Sequence, residues 1–294
     1  MEISEDVSFV GHNSDVRLLS IEPSSALVAS VAADNTVRLW RTSSGEPLAY
    51  IVEVSGAPVS HLAFSPNAEY LGLLSGSRVS VLDVSDGTMV AEYDSGSAFT
   101  GLTFSAADQL YLGGEDGSLQ LLSRSADSDW SIQQVWQGPE PIRLLSASPK
   151  GDFLILVDQS NLASQFMLAE GRIGDSTLQL PSEVQEVVFD SNASRAYFRS
   201  PRWVHRASLS TNGLIWTDAL FVPRTLNGAG IVRGDGTPRS RVSQRMYLPI
   251  ARNSYIEIAE LGFGGTTATG LFGNKDELLN EWRERIIASP REGF

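Results

Sequence analysis

Acid–base and metal chemistry would have to begin at three histidines, His12, His61 and His205. Imidazole titrates near neutral pH and is the commonest neutral metal ligand. The three lie far apart, and no helix-spaced or turn-spaced pair exists. The chain has no cysteine, which excludes thiolate nucleophiles, disulfides and Cys-based metal sites. Serine and aspartate are plentiful, so a Ser/His/Asp trio can always be drawn. No G-x-S-x-G elbow sits between a strand and a helix to present the serine. No two carboxylates are marked as a glycosidase pair. Gly262-Phe263-Gly264-Gly265 lacks the Lys-Ser/Thr of a phosphate-binding loop. The expectation is a chain with no catalytic residue, no metal and no cofactor.

Charge is the other chemical feature. Net charge is −13 at pH 7, which argues against general nucleic-acid binding. Yet between 199 and 252 nine arginines face only two acids, Asp218 and Asp235. Arg233 to Arg241 read as a long exposed loop, and Arg233, Arg239, Arg241 and Arg245 could dock an acidic protein partner, an anionic ligand or a phosphate group. The alternative is that these arginines pair with the acidic remainder of the same chain. Arg233-Gly234-Asp235 also spells an adhesion tripeptide, but three residues are too few to carry that reading.

The elements that must position these residues begin with Gly11 to Trp40. Val16 to Ile21, Leu27 to Val31 and Val37 to Trp40 are short apolar runs separated by Pro23-Ser24-Ser25 and Asp34-Asn35. A fourth run, Leu48 to Val54, follows Ser43-Ser44-Gly45. Short β-branched runs between turn formers predict an antiparallel four-stranded meander. Such a sheet needs copies on either side to hide its faces.

Gly11-His12, Ser30, Asp34 and Trp40 resemble the WD repeat, in which Gly-His, Ser, Asp and Trp recur at these places. The resemblance implies that His12, Ser30, Asp34 and Trp40 form a hydrogen-bonded structural tetrad, with Asp34 partly buried. Eroded copies follow. The turn after the first strand falls at Pro23, Pro66, Ala106, Pro149 and Ser191, at intervals of 43, 40, 43 and 42 residues. Leu82 and Leu122 take the Trp40 place, and Asp116 matches Asp34. A sixth repeat can use Gly228 to Val232, Val242 to Ile250 and Tyr255 to Ala259; a seventh would begin near Thr267 to Phe272. The fold expected is all-β, a WD40-like β-propeller of six or seven four-stranded blades over residues 1–272. Residues 3 to 9 are expected to complete the last blade.

Residues 273–294 change period. Asn274 with Glu277 makes a capping-box-like start, Leu278, Leu279, Trp282 and Ile286 share a stripe, and Pro290 ends it. A short C-terminal helix is expected, lying on the propeller or serving as a connector.

No run of about 18 apolar residues exists to span a membrane, and the start has no leader-like segment. The protein is expected either to stay inside the cell or to be a domain cut from a longer chain. The resemblance implies a non-catalytic platform for protein–protein contact. Partners of such propellers commonly meet the loops before each first strand, here Asn13 to Asp15, Ser55 to Pro58, Gly96 to Ala98, Gly138 to Pro141 and Pro181 to Glu183. Two alternatives stand beside it. One is a regulatory or sensory domain of a larger membrane-associated or enzymatic protein. The other is a hydrolase or lyase with a channel-centred site.

Overall fold

The computed structural model describes residues 9–22, 26–48, 51–54, 56–127, 129–190, 193–200, 203–210, 213–221, 232–233, 246–251 and 256–261. The expected N-terminal strand, the arginine loop beyond Arg233 and the C-terminal helix lie outside the described residues. Everything regular within them is strand, and the chain divides into two compact units, Met1–Gly174 and Asp175–Phe294.

The first unit holds four antiparallel sheets, each a four-strand meander in chain order. The first is β1 (Val16–Ile21), β2 (Leu27–Ala32), β3 (Thr36–Arg41) and β4 (Val52–Glu53). The second is β5 (His61–Phe64), β6 (Tyr70–Ser75), β7 (Arg78–Asp83) and β8 (Met89–Asp94). The third is β9 (Phe99–Ala106), β10 (Gln109–Gly114), β11 (Ser118–Arg124) and β12 (Trp130–Gln137). The fourth is β13 (Ile142–Ala147), β14 (Phe153–Asp158), β15 (Leu162–Met167) and β16 (Arg172–Ile173).

The second unit begins with the short β17 (Leu178–Gln179). It continues with a four-stranded sheet of β18 (Glu186–Phe189), β19 (Arg195–Arg199), β20 (Trp203–Ser210) and β21 (Gly213–Phe221). A three-stranded sheet follows, of β22 (Val232–Arg233), β23 (Met246–Ala251) and β24 (Ile256–Leu261). Among the described residues there are thus six sheets, the sixth at the place where the period puts a sixth repeat.

The second and third strands of the second sheet are apolar on both faces. Tyr70, Leu71, Leu73, Leu74, Val79, Val81 and Leu82 are all buried. Alternation sends Leu71, Leu73 and Leu82 against Ala29, Val31, Val37 and Leu39 of the first sheet. The opposite set, Tyr70, Leu74, Val79 and Val81, meets Phe104, Leu110, Leu112 and Leu122 of the third. Tyr111, Leu119 and Leu121 on the far face of the third sheet meet Ile142, Leu154, Leu156 and Phe166 of the fourth. Each buried aliphatic side chain contributes about 1.5–3 kcal/mol, so this interlayer packing dominates. Small residues set the spacing: a Cβ on Gly113 would lie 2.7 Å from Ile142 Cγ2.

One buried polar residue closes the first-to-second-strand turn in every four-stranded sheet: Glu22, Ser65, Ser105, Ser148 and Asp190. Its own N–H bonds the carbonyl five residues on in four of them, at 2.9–3.2 Å (Glu22 to Leu27, Ser65 to Tyr70, Ser148 to Phe153, Asp190 to Arg195). In these four the side chain accepts the turn's N–H groups, whereas Ser105 Oγ donates to Gln109 Oε1 at 3.2 Å. Ser65 Oγ takes Tyr70 N at 2.9 Å, and Ser148 Oγ takes Asp152 N and Phe153 N at 3.1 and 3.3 Å. Asp190 Oδ1 takes Ser194 N and Arg195 N at 2.7 and 3.0 Å. These residues directly precede the turn positions that set the register of the repeats. An unmet N–H in so buried a turn would be expensive. Replacing Asp190 by Ala is therefore expected to lower stability by about 1–3 kcal/mol. Asp190→Ser, which installs the residue used in three other sheets, should lose markedly less. Denaturant midpoints followed by circular dichroism decide between these outcomes.

Candidate functional site

His12, Ser30 and Trp40 meet on the face of the first sheet that points away from the second. Trp40 Nε1–H donates to Ser30 Oγ at 2.7 Å, and Ser30 Oγ lies 2.6 Å from His12 Nε2. His12 Nδ1 lies 3.1 Å from Thr36 Oγ1, and Thr36 Oγ1–H donates to Asp34 Oδ1 at 2.7 Å. One assignment of protons satisfies the whole run. Trp40 donates to Ser30, Ser30 donates to His12 Nε2, His12 Nδ1–H donates to Thr36, and Thr36 donates to the carboxylate. This assignment uses a neutral imidazole. Burial pushes His12 below its ordinary value, Arg38 nearby adds to this, and the Asp34 carboxylate opposes it.

Asp34 corrects the expectation. It is exposed rather than partly buried, because it occupies the turn itself. It reaches His12 only through Thr36, which sequence reasoning had passed over. Thr36 donates both its hydroxyl and its N–H, the latter at 3.0 Å, to Asp34. These bonds, the hydroxyl first, hold the carboxyl below the usual carboxylate range. The available signal was Asp followed two residues on by Thr, the spacing of an Asx turn.

The arrangement does not activate a nucleophile. Ser30 is 2% exposed, and its oxygen is engaged by both Trp40 and His12.

The other four-stranded sheets replace this polar run as a unit. Trp40 stands opposite Val28, and the matching pairs are Leu82 with Leu71, Leu122 with Leu110, Phe166 with Leu154 and Ala207 with Ala196. The Ser30 place is held by Leu73, Leu112, Leu156 and Phe198, all buried. A lone buried indole N–H or hydroxyl would lack its partner, so Trp and Ser are lost together. Asp116 keeps the turn without the tetrad, accepting Ser118 N at 2.9 Å.

The loop-bearing end is stitched. In the first unit each loop between sheets is bonded to a second-to-third-strand turn. Asp34 N donates to Ser14 Oγ at 3.2 Å, Asn35 Nδ2 to Ala57 O at 3.2 Å and Val59 N to Asn35 Oδ1 at 3.3 Å. Glu115 N donates to Ala98 O at 3.0 Å and Gly138 N to Gly117 O at 2.9 Å. Arg143 donates to Asn161 Oδ1 at 2.9 Å. The turns hold their left-handed residues at Asn35, Gly76, Gly117 and Asn161, the types that tolerate this backbone. Exposed on this end are Asn13, Asp15, Asp34, Ser97, Glu115, Asp116 and Glu140.

At the opposite end a cleft of about 670 Å³ is lined by Arg41, Glu69, Tyr70, Asp83 and Arg124 among others. Its two cations and two carboxylates offer no imidazole and no single sign of charge. Among the described residues, no three or more His, Asp and Glu side chains are grouped to hold a metal, and no helix is long and apolar enough to cross a membrane.

The arginine surface is divided. Arg199 is committed inside its own sheet, with Nε donating to Glu186 Oε2 at 2.9 Å. Arg233 departs from the expected loop, because its backbone pairs with Met246 in a strand. Arg239, Arg241 and Arg245 lie outside the described residues.

Two predictions follow from the histidine geometry. Trp40, 1% exposed, should lose about 3–5 kcal/mol of stability on change to Ala. Thr36→Val should break the run between His12 and Asp34 with a smaller loss, read from the same unfolding curves. His205 is 2% exposed, lies 5.2 Å from the Trp216 ring, and is pushed below its ordinary value by burial. Below about pH 6.5 the unfolded chain takes up protons that the folded His12 and His205 refuse. Stability should fall as pH drops from 7.5 to 5.5, and His205→Gln should make that dependence shallower.

Comparisons with known proteins agree with this architecture. The family model described as WD domain, G-beta repeat matches residues 5–41. The Cps50 (Swd1) β-propeller domain of Myceliophteria thermophila superposes with a TM-score of 0.69, covering 92% of this chain and 89% of that one at 12% identity. A Dictyostelium discoideum ribosome biogenesis protein BOP1 homolog is 38% identical over 66 residues, 22% of this chain and 8% of that protein. A Danio rerio p21-activated protein kinase-interacting protein 1-like is 23% identical over 150 residues, 51% of this chain and 40% of that one. The small ribosomal subunit protein RACK1 of Candida albicans is 28% identical over 91 residues, 31% of this chain and 28% of that one. The chain thus matches less than half the length of each of these curated relatives. With a WD repeat matched at residues 5–41 and a propeller as its structural counterpart, the chain has a β-propeller fold that carries a WD repeat in its first sheet.

Proposed function

We propose that this chain is a non-catalytic platform for protein–protein contact, met by its partner at the loop-bearing end. The observation that carries this is the stitching of loops to turns, which fixes exposed side chains from several sheets without ordering them on binding. The Ser, His and Asp that could suggest chemistry are consumed in holding the first sheet. One relative is by name a kinase-interacting protein, which fits a binding role.

A second contact surface is proposed at Arg233, Arg239, Arg241 and Arg245, for an acidic partner. Its support is the excess of nine arginines over two acids between 199 and 252.

Substituting Asn13, Ser97 and Glu140 together by Ala tests the loop-bearing end. All three are exposed, so stability should stay within about 0.5 kcal/mol. Recovery of the native partner by affinity capture with the full chain should fall at least tenfold. Unchanged recovery on an unchanged fold would move the contact elsewhere. R239E/R241E/R245E, compared in parallel, reports on the arginine surface separately.

A further inference from the structure

The outermost strand of a sheet carries unpaired N–H and C=O groups, and proteins blunt such edges with short strands, charges or proline. Three outer strands of the first unit follow that rule. β4 and β16 are two residues long. β8 carries Glu92 and Asp94, both tied to Arg78 at 3.3 and 3.7 Å. β12 does not follow it. It runs for eight residues, Trp-Ser-Ile-Gln-Gln-Val-Trp-Gln, without a charge or a proline. Among the described residues it pairs with β11 alone.

The edge is also rigid. Trp130 meets Tyr70 edge-on at 5.5 Å, and Ile132 packs on the core between the second and third sheets. Val135 and Trp136 pack on the core between the third and fourth, with Trp136 6.2 Å from the Phe166 ring. Gln137 Nε2 donates to Asp116 O at 2.7 Å and pins the far end. A strand held on both faces keeps its outward backbone groups, about four N–H and four C=O, in place for a further strand.

Charge selects the occupant. Asp127 and Asp129 flank the start of β12, Glu140 follows its end, and Glu115 and Asp116 sit on the turn beside that end; all are exposed. Between residues 9 and 174 there are 19 acids against eight bases. A second copy of this chain, paired antiparallel on β12, would set Asp127 and Asp129 of one copy against Glu140 of the other. An anionic segment would meet the same repulsion.

We propose that the outer edge of β12 is a docking site for an extended peptide segment of a partner protein. The segment is uncharged along its middle and carries Lys or Arg at both ends. It joins the third sheet as a fifth strand: main-chain bonds supply affinity, and the acidic flanks supply selectivity. This edge runs along the outer side of the sheet and shares only its Glu115, Asp116 and Glu140 flank with the loop-bearing end.

A ten-residue peptide of alternating Thr and Val with a Lys at each end is the probe, tested on the full chain by calorimetry and amide hydrogen exchange. Binding should slow exchange in residues 130–137. A peptide with Glu at both ends should bind at least tenfold more weakly. S131K/Q133K, which places charges on exposed edge positions, should weaken the Lys-ended peptide at least tenfold. The Asn13, Ser97 and Glu140 triple substitution removes one flanking acid and should weaken it by less than threefold. Equal binding of the two peptides, or protection of the loop-bearing end instead of 130–137, would overturn the proposal. So would concentration-dependent dimers of the free chain that protect 130–137, since these would make a second copy the occupant.

Discussion

A four-stranded sheet that is apolar on both faces cannot stand in water. Leu71, Leu73 and Leu82 on one side of the second sheet, and Tyr70, Leu74, Val79 and Val81 on the other, are all buried. Each face needs another sheet, and that sheet has the same need on its far side. In the first unit this demand is met by stacking successive meanders face to face. The energy lies between the sheets, so the details within any one sheet are free to drift as long as size and apolarity are kept.

That freedom explains the uneven survival of the WD tetrad. In the first sheet the buried Ser30 and Trp40 satisfy each other and hand the run of hydrogen bonds on to His12, Thr36 and Asp34. Elsewhere an apolar pair, such as Leu112 with Leu122 or Leu156 with Phe166, fills the same space with nothing to satisfy. Both are complete solutions to burial; a mixture of the two is not. The turn polar residue obeys the opposite logic. Glu22, Ser65, Ser148 and Asp190 stay polar because the backbone N–H groups of a tight turn remain to be bonded whatever the side chains do.

A stack of this kind leaves its ends and outer strands for function. At one end, hydrogen bonds between loops and turns make a fixed surface from short segments. Along the outer side, β12 presents an uncharged edge that the neighbouring outer strands lack. Two of the three histidines, by contrast, are drawn into structure: His12 into the hydrogen-bonded run and His205 into the core beside Trp216.

The chain's own pattern of short apolar runs at intervals of 40 to 43 residues was enough to specify repeated four-stranded meanders. It also located Leu82 and Leu122 in the Trp40 place, because period and alternation are local properties of the chain. It marked the turns at Pro66 and Pro149 but not the buried serines before them, since burial of a polar residue depends on the layers around it. It brought His12, Ser30 and Trp40 together by likeness to a known repeat, yet misjudged Asp34. Only folding decides that a turn residue points to solvent and that Thr36 stands between it and the imidazole. Phe166 and Ala207 in the Trp40 place, the stitching of loops to turns, and the bare edge of β12 were likewise settled by tertiary structure. Each depends on which strand comes to lie beside which, and that is fixed by interlayer packing between residues far apart in the chain.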